Sequence, residues 1–170
     1  MGQGALSMKK YTWPILTFLA VCLAGWGGRQ AIGTVYGEAE ASALLEALAR
    51  AGLYLGSAIA TAATTTLALM LTLIGMIRRM DKDFDDGVYG RVNLIARLAT
   101  ASLMLSLIVL MAYTLPVGEF DELPGNWYGT LYEVLYASTI IMVALLAATV
   151  AVLYQTVHKV IASITPGDQV

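Results

Sequence analysis

The stretch AGLYLGSAIATAATTTLALMLTLIGMI, Ala51–Ile77, runs for 27 residues without a charge. A helix needs about 20 apolar residues to cross the hydrocarbon core of a bilayer, so this segment is long enough. Its small residues are ordered. Gly52, Gly56, Ala60, Thr64, Ala68 and Thr72 recur every four positions, beginning with a G-x-x-x-G. Lipid tails are as apolar as leucine, so membrane helices associate through close backbone approach, which small residues permit. The stretch therefore reads as a transmembrane helix built to pack. A strict four-residue ridge drifts by about 40° per step on a 3.6-residue helix, so it winds around the helix and can serve more than one neighbour.

Three further windows lack charge: Tyr11–Gly28 (18 residues), Leu98–Gly118 (21) and Val134–Val157 (24). Apolar residues make up 58% of the 170-residue chain and charged residues 13%, about half the charge of a soluble domain. A soluble helical bundle would need polar stripes along these segments, and none is wide enough. The expected fold is all-α: one integral membrane domain over residues 1–170, a four-transmembrane-helix bundle with spans near 11–33, 51–78, 91–115 and 127–158. Lys9 and Lys10 ahead of YTWPILTFLAVCLAGWGG also resemble the start of a signal peptide. The segment is read here as the retained first span.

Between the first two spans, GTVYGEAEASALLEALARAG is rich in Ala, Leu and Glu, all good helix formers. Leu44, Leu45 and Leu48 fall at helical spacing, away from Glu38 and Glu46. This pattern predicts a short amphipathic interfacial helix, leading into the second span. The segment LLEALARAGLYLGSA, Leu44–Ala58, resembles the small membrane subunits of tripartite substrate-binding-protein-dependent transporters, where an acidic amphipathic helix also leads into the second span. The likeness covers fifteen residues, and the middle loop departs from that family's pattern. What it implies is an accessory subunit.

With four spans, the N-terminus, the middle loop and the C-terminus share a side. That side holds Lys9, Lys10, Arg78, Arg79, Lys82, Arg91, Arg97 and Lys159, whereas Arg29 and Arg50 lie opposite among Glu38, Glu40, Glu46, Glu119, Asp121, Glu122 and Glu133. Basic residues in short loops stay on the cytoplasmic side. The expectation is a bacterial-type inner membrane with both termini cytoplasmic. In the middle loop, Asp81, Asp83 and Asp85 alternate like calcium ligands. A twelve-residue calcium loop needs Gly at position six and Glu at twelve, and here those positions are Asp86 and Val92. The loop is read as a polar turn.

The chemistry-bearing residues are few. Ser57, Thr61 and Thr65 run beside the glycine ridge, either as a hydroxyl-lined path or with each hydroxyl bonded back to its own helix. Glu133 lies six residues beyond Trp127, and Arg97 six beyond Arg91, about 9 Å along a helix in each case. Ionisable groups at such depths are paired, hydrated or functional. Arg97 is expected to snorkel to the headgroups and Glu133 to pair with Arg29 or Arg50. The polar path or ion-pair candidates are therefore Ser57, Thr61, Thr65, Arg29, Arg50, Arg97 and Glu133. Cys22 and His158 are the lone residues of their kinds. An internal disulfide, bis-histidine haem and a multi-histidine metal centre are thereby excluded within one chain. No catalytic triad or phosphate-cradling glycine loop occurs, and no basic, aromatic patch points to nucleic acid. The expected partners are the bilayer and other membrane subunits or further copies of this chain, with no cofactor or catalytic activity. A small homo-oligomeric cation channel or transporter is the competing expectation, since acidic outer loops would concentrate cations.

Overall fold

The computed structural model describes residues 3–32, 38–79, 86–114 and 126–164. They form four helices: α1 (Gln3–Ile32), α2 (Glu38–Arg79), α3 (Asp86–Tyr113) and α4 (Asn126–Ile164). Three are long and apolar enough to cross a membrane, over Ala43–Gly75, Gly90–Tyr113 and Trp127–His158. The chain is thus an all-helical protein with a membrane location. Over its described residues helix α1 is not a clear span. Its apolar centre, 15–24, is flanked by Tyr11, Thr12, Trp13 and Pro14 on one side and by Gly25, Trp26, Gly27, Gly28 and Arg29 on the other.

The segment expected as an amphipathic helix leading into the second span runs directly into it. Glu38–Arg79 is one continuous helix of 42 residues, about 63 Å long at 1.5 Å per residue. Nothing in EAEASALLEALARAG breaks a helix, since Gly52 is tolerated where its backbone meets a neighbour. The first turns of α2 simply extend beyond the apolar span. The polar turn at 81–85, the loop at 115–125 and the side chains of Lys9, Lys10, Glu38, Glu40 and Lys159 lie outside the described residues.

Helices α2, α3 and α4 pack against one another, and α1 docks on α4 alone to any extent. The result is a three-helix core with α1 on its flank. Helices α2 and α3 each bury one seam, whereas α4 meets all three other helices. On α2 the covered positions are Leu45, Ala49, Gly52, Gly56, Ile59, Ala63, Thr66 and Met70, spaced alternately by four and three. On α3 they are Val92, Ile95, Ala99, Ser102, Ser106, Val109 and Tyr113, again in threes and fours. On α1 the covered face is Pro14, Phe18, Val21, Gly25 and Gly28, in the same rhythm. A repeat of 3.5 residues keeps a helix facing its neighbour when the pair winds left-handed. The four-residue ridge of α2 therefore splits. Gly52 and Gly56 belong to the seam and are buried, Ala60 is half-buried, and Thr64, Ala68 and Thr72 face outward. The 40° drift per step carries them there, and Ile59 and Ala63 take over the contact.

Helix α3 runs antiparallel to α2 and α4, and α1 runs antiparallel to α4, so α2 and α4 pack in parallel. Gly52 and Gly56 oppose Tyr113 and Leu110, while Gly25 and Gly28 oppose Ile140 and Tyr136. The C-terminal ends of α1 and α3 thus lie with the N-terminal ends of α2 and α4, at the acidic end of the molecule. The other end is basic.

Candidate functional site

Polar groups gather in three places. The first is the acidic end of the core. The Tyr113 hydroxyl lies 2.7 Å from Thr139 Oγ1, and Thr139 Oγ1 donates to the Leu135 carbonyl at 2.8 Å. Threonine has one hydroxyl proton, so tyrosine is the donor of the interhelical bond. Gly52 lies against the same ring, and a Cβ there would collide with Tyr113. One glycine on α2, one tyrosine on α3 and one threonine on α4 thus lock three helices together. The lock went unread in the sequence, because Tyr113 and Thr139 sit within apolar runs with no spacing signature.

The second place is the α1–α4 seam. Arg29 Nη2 donates to Glu133 Oε1 at 2.7 Å. The Tyr136 hydroxyl donates to the Gly25 carbonyl at 3.0 Å, and Tyr132 stacks on Tyr136 with ring centroids 5.8 Å apart. Of the two arginines expected for Glu133, the structure brings Arg29. Arg50 instead pairs with Glu46, four residues back on its own helix, at 2.8 Å. A local pair forms at once on a helix surface, whereas Arg29 reaches Glu133 only because α1 lies along α4. The Glu133 side chain is 63% exposed and that of Arg29 27%, so this pair is a surface clasp.

The third place is the outer face of α2. Ser57, Thr61 and Thr65 are all exposed, so they line no path inside a single chain. Thr61 Oγ1 donates to the Ser57 carbonyl at 2.9 Å, Thr64 to Ala60 at 2.8 Å, Thr65 to Thr61 at 2.8 Å and Thr72 to Ala68 at 3.1 Å. These back-bonds satisfy the hydroxyl protons without a neighbour. On this face Ser57, Thr61, Thr64, Ala68, Thr72 and Gly75 are all small and all exposed. Large apolar side chains are exposed elsewhere: Leu53, Tyr54, Leu69 and Leu71 on the rest of α2, Trp13, Leu16, Leu19, Leu23 and Trp26 on α1, and Met104, Leu107, Ile108 and Met111 on α3. Arg97 is exposed on α3, the placement a snorkelling cation takes.

Among the described residues, no group of three or more His, Cys, Asp or Glu side chains is placed to hold a metal. No family model, curated protein or solved structure matches this chain.

Proposed function

We propose that the chain is a non-catalytic integral membrane subunit. It crosses a bacterial-type inner membrane four times and packs through the outer face of α2 against another membrane subunit or a further copy of itself. The unbroken row of small exposed side chains on α2 carries this reading. Lipid imposes no need for small side chains, yet α2 presents an exposed row of Ser, Thr, Ala and Gly six residues long, bordered by the exposed Leu53, Tyr54, Leu69 and Leu71. Such a row is the chemistry of a helix–helix contact in a bilayer. The antiparallel seam of α1 along α4 supports a fourth span, because α1 has 30 residues, about 45 Å of helix. The basic end supports cytoplasmic termini. In a Cys22→Ala background, a cysteine introduced near Glu122 should react with an impermeant reagent outside the cell, and one near Gly2 should not. Equal labelling would refute that topology.

A variant carrying Thr61→Leu, Thr64→Leu and Ala68→Leu tests the proposed face. All three positions are exposed, so the single chain should fold with an unchanged melting temperature. The mass in mild detergent should fall from a larger assembly toward that of the 18.1 kDa chain. A wild-type protein that already runs alone as a single copy would sink the proposal. A ring of copies is a second reading, favoured by the same hydroxyls. With their protons committed to the backbone, the outward Thr61 and Thr65 oxygens could only accept bonds or face cations, and the exposed Ser57 hydroxyl lies beside them. Cation flux through reconstituted liposomes would favour the ring; a companion protein in the purified assembly, without flux, would favour the accessory subunit.

A further inference from the structure

Arg91 is the cation that none of the preceding features uses. It lies at the basic end, one residue into the apolar span Gly90–Tyr113, and it is only 8% exposed. Arginine keeps its charge in proteins, and its guanidinium carries five donors. Here Nη1 makes a long 3.4 Å bond to the Gln155 carbonyl of α4. The ion pairs among the described residues are Arg29–Glu133 and Arg50–Glu46, so no described carboxylate balances it. Around this end lies an apolar cluster of Met70, Val92, Ile95 and Val152. A neutral carbonyl at that distance is a poor counterpart for a desolvated charge, which needs a paired anion to be tolerated. Five residues upstream α3 begins at Asp86, and the free N–H groups of a helix start add positive potential for an anion.

We propose that Arg91 holds a phosphate group, supplied by an anionic phospholipid headgroup where α3 enters the membrane. Guanidinium and phosphate match as a bidentate, charge-assisted pair. The depth also fits, since the first turn of a span meets the headgroups. Nothing in this inference depends on the outer face of α2 or on an assembly partner.

The test uses full-length protein stripped of lipid by exhaustive detergent exchange. Its melting temperature is followed on adding phosphatidylglycerol, phosphatidylcholine or inorganic phosphate. Phosphatidylglycerol should raise the wild-type melting temperature by about 3 °C, the scale for a ligand held roughly tenfold above its dissociation constant in a chain of this size. Phosphatidylcholine should do little, and Arg91→Met should lose the rise. A rise from inorganic phosphate alone would keep the site and assign its source to soluble phosphate. An equal rise from both lipids in the wild type would overturn the proposal, and that comparison decides even if Arg91→Met does not fold. So would an undiminished rise in Arg91→Met, which would leave Arg91 to a protein carboxylate such as those of the aspartates between positions 81 and 86.

Discussion

Gly52→Ala is expected to cost about 2–4 kcal/mol of stability. The new Cβ would occupy the space of the Tyr113 ring. Overpacking of a tight contact costs about 1–3 kcal/mol. Displacing the ring also breaks the bond from Tyr113 to Thr139, at about 1–3 kcal/mol for a buried pair left unmade. The two losses overlap, so they do not simply add. The ring is held between α2 and α4 and has no open side toward which to yield. Gly56→Ala should cost less, because its Cβ would meet the flexible end of Leu110 at 2.9 Å. Gly75→Ala is the matched control. Nothing lies within 4 Å of a Cβ there, and replacing glycine within a helix gains about 0.5–1 kcal/mol. Thermal unfolding in one detergent should rank the three as Gly75→Ala above wild type, then Gly56→Ala, then Gly52→Ala. Gly52→Ala melting with the wild type would mean that α2 does not approach Tyr113.

The same residues show what a membrane sequence reveals. Length without charge located the three spans, since the bilayer sets that length. The G-x-x-x-G at Gly52 and Gly56 announced close approach, but not Tyr113 as the neighbour. In a soluble helix the buried seam stands out against polar surroundings. Here the exposed positions are also apolar, as Leu107 and Ile108 are beside Ser106 and Val109. The 3.5-residue seams of α2 and α3 are therefore invisible to hydropathy and legible only through side-chain size. The four-residue ridge was an easier pattern to see, and it crosses from the seam to the outer face at Ala60. In the sequence Arg91 is only one of the basic residues of the cytoplasmic side, because its burial depends on how α3 crosses α4, which no local pattern encodes. Glu133 was narrowed to two arginines by charge and depth. The choice of Arg29 followed from the register of α1 along α4.

That register makes α1 a separable part. Gly25→Leu is expected to release α1 from α4 while α2, α3 and α4 stay folded. A Cβ at Gly25 would stand 2.6 Å from both Cδ1 and Cγ1 of Ile140. The larger side chain would also push the backbone away from the Tyr136 hydroxyl, which donates to the Gly25 carbonyl. The Arg29–Glu133 clasp, one turn on, needs the same closeness. Helix α1 makes no comparable seam with α2 or α3, so nothing else retains it beside the bundle. The native Cys22, partly covered on the edge of this seam, reports the change. Its reaction with a membrane-permeant maleimide should quicken several-fold in Gly25→Leu. The main melting transition, which belongs to the three-helix core, should move little. Glu133→Gln is the mild counterpart. It removes one charge from a largely exposed pair and should cost about 0.5–1 kcal/mol, with a smaller gain in Cys22 reactivity. If Gly25→Leu instead lowers the main transition as far as Gly52→Ala does, α1 is an integral fourth member of the core. If Cys22 reacts at the wild-type rate, α1 is held by contacts other than Gly25, Tyr136 and Glu133.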